Sequence, residues 1–176
     1  RAAELSILFS DVRGFTSISE ALTPEDLREY INEYLTTMST IIRSGHHGTL
    51  DKYIGDAIMA FWGARQDVPD GARQACTAAL ACQARLRTLN ARWKSEGKPE
   101  LVTRMGLHTA QVVIGNIGSK DRINYSAIGD GVNVAARLEA LNKELGTRVL
   151  ISETTHVRIE GQFECRRMGG HSLKGR

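Results

Sequence analysis

Residues 49–62 of this chain have the sequence TLDKYIGDAIMAFW, and this stretch decides the fold. Two runs rich in apolar and aromatic residues, Thr49 to Ile54 and Ala57 to Trp62, are separated only by Gly55 and Asp56. A Gly-Asp pair between two such runs predicts a tight β-hairpin, because glycine adopts the positive φ that a short turn requires. Asp56 therefore lies in a turn, where a neighbouring strand can bring a second functional group beside it.

The chain before this hairpin predicts one strand and two helices. Glu4 to Ser10 (ELSILFS) has the apolar character of a buried strand. Ser17 has a glutamate three residues later, which is capping-box spacing and predicts a short helix starting at Ser17. Thr23 followed by Pro24 predicts the start of a long helix, and the glycines from Gly45 onward predict its end.

The chain after the hairpin predicts further strands and helices in alternation. A long helix is predicted from about Pro69 to Trp93, because small and apolar residues recur there at spacings of three and four. The other predicted elements are strands over 102–108, 111–117 and 124–128, a helix over 130–145, a strand over 148–151, a short helix near Thr155 and a final strand near Glu164. This order predicts an α/β fold of the α+β sandwich type. It would have a ferredoxin-like βαββαβ core, a mixed and mostly antiparallel sheet, and flanking helices.

Length and composition predict one domain over residues 1–176, which needs no disulfide or structural metal to fold. The net charge of +3 gives little reason to expect a nucleic-acid partner or adsorption to a membrane. The longest apolar run, Ala57 to Trp62, is too short to span a bilayer, and the start has no signal-peptide pattern. The three cysteines lack metal-binding spacing. We therefore expect free thiols and a cytoplasmic domain. We also expect that the domain is part of a longer protein, which could itself be attached to a membrane.

Two aspartates form the first candidate site. Asp11 ends the first predicted strand and Asp56 lies in the hairpin, so one sheet can bring the two carboxylates side by side. Carboxylates held close repel each other, which requires a cation between them or a raised pKa. Oxygen ligands suit Mg²⁺ bound to phosphates, and two such ions would acidify a hydroxyl and neutralise a leaving phosphate. Aspartate is also common in turns, so the spacing alone supports a metal site and a plain turn about equally.

The residues after Asp11 strengthen the metal interpretation. Gly14 permits a close approach to the backbone, and a predicted helix start follows it. Free N–H groups at a helix start form an anion site, which is chemically consistent with a metal-bridged phosphate.

Five segments resemble, in the same order, the motifs of class III nucleotidyl cyclases. Phe9 to Thr16 (FSDVRGFT) is similar to the first metal-binding motif and Lys52 to Ala57 (KYIGDA) to the second. MGLHT at 105–109 and GNIG at 115–118 also match, and Ile128 to Arg137 (IGDGVNVAAR) resembles the transition-state helix. The resemblance covers nearly the whole chain and is to the catalytic domain of bacterial, homodimeric adenylyl cyclases.

This resemblance implies an adenylate cyclase, a phosphorus–oxygen lyase that converts ATP to 3′,5′-cyclic AMP and pyrophosphate. Its cofactors would be two Mg²⁺ or Mn²⁺ ions held by Asp11, Asp56 and the Val12 carbonyl. Asn133 would orient the ribose and Arg137 would stabilise charge on the α-phosphate. The implied substrate-binding residues are Gly14, Phe15 and Thr16 for the β- and γ-phosphates, Lys52 and Ser126 for the purine, and Lys174 as the best candidate for a basic residue over the triphosphate.

The residue chemistry agrees with the implied catalytic pair. Asn133 and Arg137 are four residues apart on a predicted helix, so they share a face. An arginine fork suits developing charge on a phosphate. Taken alone, each residue is better explained as an ordinary surface group, and only the set of motifs favours catalysis.

Two residues imply the choice of purine. Lys52 can donate to the adenine N1 acceptor, whereas guanine presents a donor there. Ser126 can accept from the adenine N6 amine, although a hydroxyl also donates and so discriminates less sharply. We predict ATP over GTP with some leakage. Ser126 most resembles the threonine found in a bacterial group that bicarbonate stimulates, which makes bicarbonate a hypothetical activator.

The resemblance also implies the assembly, since one subunit of such cyclases supplies metals and phosphate loop and the other supplies the purine and catalytic residues. This chain carries both halves, so we expect a homodimer with two shared sites. The alternatives are a catalytically silent cyclase-homology domain for dimerisation or sensing, and a guanylyl or diguanylate cyclase. A diguanylate cyclase would carry a Gly-Gly-Asp/Glu-Glu-Phe hairpin, and this hairpin is instead IGDA at 54–57.

Overall fold

The computed structural model describes residues 2–63, 70–120 and 122–170, with the backbone alone at 122–125. The strands in these ranges are β1 (Ala2–Arg13), β2 (Thr49–Ile54), β3 (Ala57–Trp62), β4 (Val102–Ser119), β5 (Arg122–Ile128) and β6 (Val149–Ile151). The helices are α1 (Phe15–Ala21), α2 (Pro24–Thr40), α3 (Gly71–Ser95), α4 (Asp130–Leu145) and α5 (Glu153–Arg158). A π-helical turn over Ile41–Gly45 extends α2.

The strands form one sheet in the order β2-β3-β1-β4-β5, and β6 pairs with β4. Among the described strands, every pairing along this order is antiparallel, and only the pairing of β6 is parallel. The order of the first four strands, with α2 and α3 as the connecting helices, gives the ferredoxin-like βαββαβ core that the sequence predicts. The hairpin of β2 and β3 also has the predicted bounds.

Helices cover both faces of the sheet. Leu8, Ile58 and Met105 belong to a core shared with α2 and α3, in which the predicted apolar stripe of α3 is buried. Ile7 and Phe61 point to the opposite face, where they pack with Ala135 of α4. Because side chains alternate along a strand, Asp11 lies on the same face as Ile7, towards α4.

Glycine permits the close packing of α4 on β4. A Cβ atom added at Gly106 would lie 2.3 Å from the Glu139 nitrogen and 2.5 Å from the Ala135 oxygen, both of them backbone atoms. We expect Gly106→Ala to lower the free energy of unfolding by about 1–3 kcal/mol, because the helix must move to admit the methyl group. Thermal unfolding measures this loss. Gly115→Ala is the control, because nothing lies within 4 Å of the added atom there, and an equal loss in both variants would contradict the packing argument.

Three predicted elements were wrong in detail. The first helix begins at Phe15 rather than Ser17, because Gly14 has φ 67° and turns the chain directly into the helix. Strands predicted over 102–108 and 111–117 are one strand, since Ala110 pairs with Leu5 and continues the ladder. Residues 164–170 contain no strand near Glu164; residues 164–167 are all exposed and offer no buried face.

Two further local predictions agree with the structure, whereas the predicted start of the long helix at Pro69 lies outside the described residues. The Thr23 side chain caps α2 by accepting from the Asp26 amide. All three cysteines are free thiols. In the described ranges no helix combines the length and the apolar character needed to cross a membrane.

Candidate active site

The two aspartates predicted to bind metal lie side by side. The Val12 amide donates to Asp11 Oδ1 at 2.8 Å and to Asp56 Oδ2 at 3.1 Å. This contact is possible because Ser10 pairs with Ile58, which brings the tip of the β2–β3 hairpin beside the end of β1. Both aspartates are half-buried, so part of each residue remains exposed to solvent.

The electrostatics of this pair favour a bound cation. The pKa of Asp11 is raised to about 6, first by burial and then by its hydrogen bond to Asp56 and the charge of that group. Two ionised carboxylates this close therefore carry a free-energy cost that a divalent cation would remove. Hard oxygen donors of this kind suit Mg²⁺ or Mn²⁺. Nowhere in the described ranges do three or more His, Cys, Asp and Glu side chains gather in a possible metal cluster.

Buried hydroxyl groups hold the backbone at Asp11 in place. The Tyr34 hydroxyl lies 2.5 Å from Thr103 Oγ1. The Thr103 hydroxyl in turn donates to the Asp11 carbonyl at 3.2 Å. Both Tyr34 and Thr103 are completely buried, so this end of β1 is anchored in the core. The chain then turns at Gly14, whose left-handed backbone only glycine adopts without strain, and α1 begins. Gly14 and Thr16 are exposed beside the pair and Phe15 is half-buried; their binding of phosphates stays a prediction.

An arginine that the sequence did not single out faces the carboxylate pair. Arg104 on β4 is the cross-strand partner of Asp11, and its charge lowers the pKa of that group. The Arg104 Nε atom is buried and has no hydrogen-bond partner. The strand register that brings Arg104 opposite Asp11 was the missing signal, and a single sequence does not contain it.

A buried glutamate that the sequence also missed lies near the same pair. Glu139 on α4 is only 7% exposed. Its pKa is raised to about 7, first by burial and then by the charge of Asp11, while Arg104 opposes the shift. Because the folded state holds this proton more tightly than the unfolded chain does, the contribution of Glu139 to stability is full below pH 4.5 and is lost as the pH rises through about 7.

This sign gives a testable pH dependence. With a metal chelator present at pH 8, the free energy of unfolding of Glu139→Gln is expected to exceed that of wild type by up to about 3 kcal/mol. The difference should shrink towards pH 4.5, the ordinary pKa of the group. Urea unfolding across this range measures it. Glu144→Gln, an exposed position on the same helix, is the control, and an identical pH profile for all three proteins would contradict the assignment.

The predicted catalytic pair lies on α4, as expected. Asn133 is exposed and Arg137 is half-buried. The Nη1 atom of Arg137 is buried without a hydrogen-bond partner. A buried guanidinium nitrogen left unpaired is costly, which is consistent with a site prepared for an anionic ligand.

The two predicted purine residues come together through a third. Ser126 Oγ donates to both carboxylate oxygens of Asp51, at 3.0 and 2.9 Å, and Lys52 Nζ lies 3.7 Å from Asp51 Oδ1. Ser126 is buried and the Lys52 side chain is about half exposed. The sheet must curl for this contact to form, because β2 and β5 stand at opposite ends of the strand order.

The structure thus brings the predicted residues together in groups. One group is the metal pair with the Gly14 turn, and a second is Lys52 with Ser126. Asn133 and Arg137 form a third group on α4. Lys174 lies outside the described residues.

The sequence profile of the adenylate and guanylate cyclase catalytic domain matches residues 1–176, and the chain belongs to this family. Adenylate cyclase 1 of Rhizobium meliloti (strain 1021) is 38% identical over 173 residues, which are 98% of this chain and 26% of that relative. The chain therefore spans about a quarter of the length of this curated relative. The family predicted from the motifs is confirmed, and the name of this relative supports the predicted enzyme class.

Two solved structures are similar over almost the whole chain. The adenylyl cyclase CyaB from P. aeruginosa has a TM-score of 0.91 at 35% identity, covering 99% of this chain and 89% of that one. The guanylyl cyclase Cya2 has a TM-score of 0.90 at 33% identity, covering 99% and 87%. These similarities confirm the predicted fold class. Since one is an adenylyl and the other a guanylyl cyclase, similarity of fold does not distinguish ATP from GTP as the substrate.

Proposed function

We propose that this chain is the catalytic domain of an adenylyl cyclase, which converts ATP to 3′,5′-cyclic AMP and pyrophosphate at a site shared by two copies. The observation that carries the proposal is the pairing of Asp11 and Asp56 around one amide, with the pKa of Asp11 raised by burial and by the neighbouring carboxylate. Such a pair beside a phosphate-binding turn suits nucleotide chemistry with divalent ions. The names of the similar adenylyl cyclases support the same activity.

The cofactors in this proposal are two Mg²⁺ or Mn²⁺ ions, held by Asp11, Asp56 and the Val12 carbonyl. When bound, they would lower the pKa of the ribose hydroxyl and neutralise charge on the phosphates. The residues fit this role because their donors are hard oxygens and their mutual repulsion needs a counter-charge. Arg104, with its unpaired Nε, adds a fixed positive charge on the same face.

In the proposed reaction the ribose 3′-oxygen bonds to the α-phosphorus and the bond to the bridging oxygen breaks. Pyrophosphate leaves and the hydroxyl proton is lost to water. Nucleophile and electrophile belong to one molecule, so the main task of the protein is to fold the substrate into line. Asn133 would hold the ribose, and the Arg137 guanidinium would stabilise charge that develops on the α-phosphate. No covalent enzyme intermediate is needed.

Exposed apolar residues around the purine group support a second copy of the chain as partner. Tyr53 and Ile54 directly follow Lys52 and are 44% and 54% exposed. Ile128 lies two residues after Ser126 and is 49% exposed, and its cross-strand neighbour Val113 is 52% exposed. Large apolar side chains grouped at a site edge are typical of an interface. A homodimer would cover them and complete each metal pair with the partner's purine and catalytic residues.

Lys52 and Ser126 support ATP as the substrate. A lysine donor suits adenine N1 and repels the N1–H of guanine. GTP turnover at a lower rate is expected, because a hydroxyl that rotates away from its acceptor can donate to the 6-oxo group. Stimulation by bicarbonate stays a proposal that rests on Ser126, and an assay at constant pH with and without bicarbonate tests it.

The proposal is tested by incubating the purified chain with ATP and Mn²⁺ and separating the products by chromatography. Cyclic AMP and pyrophosphate are expected in equal amounts. Asp56→Asn is the matched control, since it keeps the side-chain shape and removes the charge. Binding of ATP without any cyclic product, under conditions that keep the protein dimeric, would instead indicate a catalytically silent homology domain.

A further inference from the structure

Asp51 lies between the two purine residues although none of the motifs gives it a role. It is on β2, where the register against β3 shifts between Leu50 and Lys52. Asp51 is thus the extra residue of a β-bulge, and a bulge redirects a side chain out of the regular alternation of the strand. This bulge turns the Asp51 carboxylate across the curled sheet towards Ser126 and Ala127 of β5.

The Asp51 carboxylate is enclosed by donors. Its side chain is 0% exposed. It accepts from the Ser126 hydroxyl at 3.0 and 2.9 Å and from the Ala127 amide at 3.1 Å, and Lys52 Nζ lies 3.7 Å from it. One buried carboxylate therefore contacts both residues that read the purine.

These contacts fix the hydrogen-bond direction of Ser126. A hydroxyl has a single proton, and here that proton points to Asp51. Only the lone pairs of the Ser126 oxygen remain for a ligand. An acceptor at this position attracts the 6-amino group of adenine and repels the 6-oxo group of guanine.

We infer that Asp51 is the positioning residue that makes this site selective for a 6-aminopurine, by holding Ser126 as an acceptor and Lys52 as a donor. The inference rests on the proposed function for the identity of the site. It explains how a serine, which can both donate and accept, can discriminate between adenine and guanine. The competing explanation is that Asp51 only fastens β2 to β5. A purely structural contact would affect stability and would change the use of both nucleotides alike. A positioning residue instead changes the ratio of kcat/KM for ATP to that for GTP.

The test is Asp51→Asn, which keeps the shape of the side chain. Because the Ala127 amide still needs an oxygen acceptor, the new NH₂ group falls on the side of Ser126 and Lys52, where it donates to Ser126. The serine proton, which now has one side-chain oxygen in reach instead of two, is freer to turn towards the purine. The ratio of kcat/KM for ATP to that for GTP is expected to fall on the order of tenfold, the size of one hydrogen bond. Asp26→Asn, an exposed aspartate on α2, is the control and should leave the ratio unchanged.

A double-mutant cycle separates positioning from fastening. In a Ser126→Ala background the hydroxyl is gone, so Asp51→Asn should change the ATP-to-GTP ratio by only the smaller part that passes through Lys52. Thermal unfolding of all variants measures any shared loss of stability. An unchanged ratio in Asp51→Asn, or equal changes with and without Ser126, would overturn the inference.

Equilibrium binding keeps this test independent of turnover. Dissociation constants of ATP and GTP, measured with Ca²⁺ to slow the reaction, should show the same change in ratio in Asp51→Asn. A protein that makes no cyclic nucleotide but shows this change would refute the proposed function and support the role of Asp51. A wild-type protein that binds GTP more tightly than ATP, or binds neither, would overturn the inference itself.

Discussion

Asp11→Ala protein and Arg137→Ala protein, each inactive alone, are expected to regain cyclic AMP synthesis when they are mixed and allowed to exchange subunits. Each single change should lower the rate on the order of a thousandfold or more, because it removes a metal ligand or the cation that stabilises the reacting phosphate. In the mixed dimer one site combines both defects, and the other combines intact Asp11 with the partner's intact Arg137. Random pairing predicts recovery of about a quarter of the wild-type rate.

The matched control is a mixture of Asp11→Ala and Asp56→Ala proteins. Both of these changes fall in the same half of the proposed site, so neither site of their mixed dimer is complete. Differently tagged chains that co-purify would establish that subunits have exchanged. Recovery in both mixtures, or in neither after exchange, would contradict a site shared between two copies.

The second large effect is expected from Lys52→Glu combined with Ser126→Cys. Glutamate accepts from guanine N1–H, and a thiol donates to its 6-oxo group, so the pair of changes inverts both contacts. The ratio of kcat/KM for ATP to that for GTP should fall on the order of a hundredfold or more, since each unmatched group in a buried site is penalised. Product analysis with each nucleotide measures it.

A further change sharpens this experiment. Asp51 lies 3.7 Å from Lys52 Nζ, so an introduced glutamate would face a buried carboxylate. Adding Asp51→Asn should therefore raise GTP turnover of the double variant by relieving the repulsion. The control is Glu25→Gln, an exposed position on α2 that should not affect the ratio. A double variant that still prefers ATP would show that Lys52 and Ser126 do not select the purine.

The parts of this site that lie in continuous motifs were predictable from the sequence. Asp11 and Asp56 stand at a strand end and in a hairpin, and both features follow from local patterns of apolar residues and glycine. Their contact through the Val12 amide needed the pairing of β1 with β3. The motif order supplied that pairing indirectly, by indicating the fold.

The residues that were missed depend on strand register or on a local irregularity. Arg104 faces Asp11 only because of the β1–β4 register, and a shift of one residue would have turned it away. Glu139 sits among apolar positions of α4, and its place near the carboxylate pair follows from the close approach at Gly106. The contact of Asp51 with Ser126 depends on a β-bulge, which no pattern of residue types predicts.

Local helix signals were correct where one cap dominates and wrong where two compete. Thr23 caps α2 as its spacing predicts. Ser17 has the same kind of signal, but Gly14 lies closer to the strand end and starts α1 earlier. The shift matters for the site, because it brings the start of α1 next to Asp11, where the phosphates are proposed to bind.

The most direct test of the central claim is a competition assay with the purified chain, equal concentrations of ATP and GTP, and Mn²⁺, in which mass spectrometry quantifies both cyclic products. We predict that cyclic AMP dominates, that a small amount of cyclic GMP forms, and that both vanish in Asp11→Ala protein. Dominant cyclic GMP, or cyclic products that persist in Asp11→Ala protein, would contradict an adenylyl cyclase site built on Asp11 and Asp56.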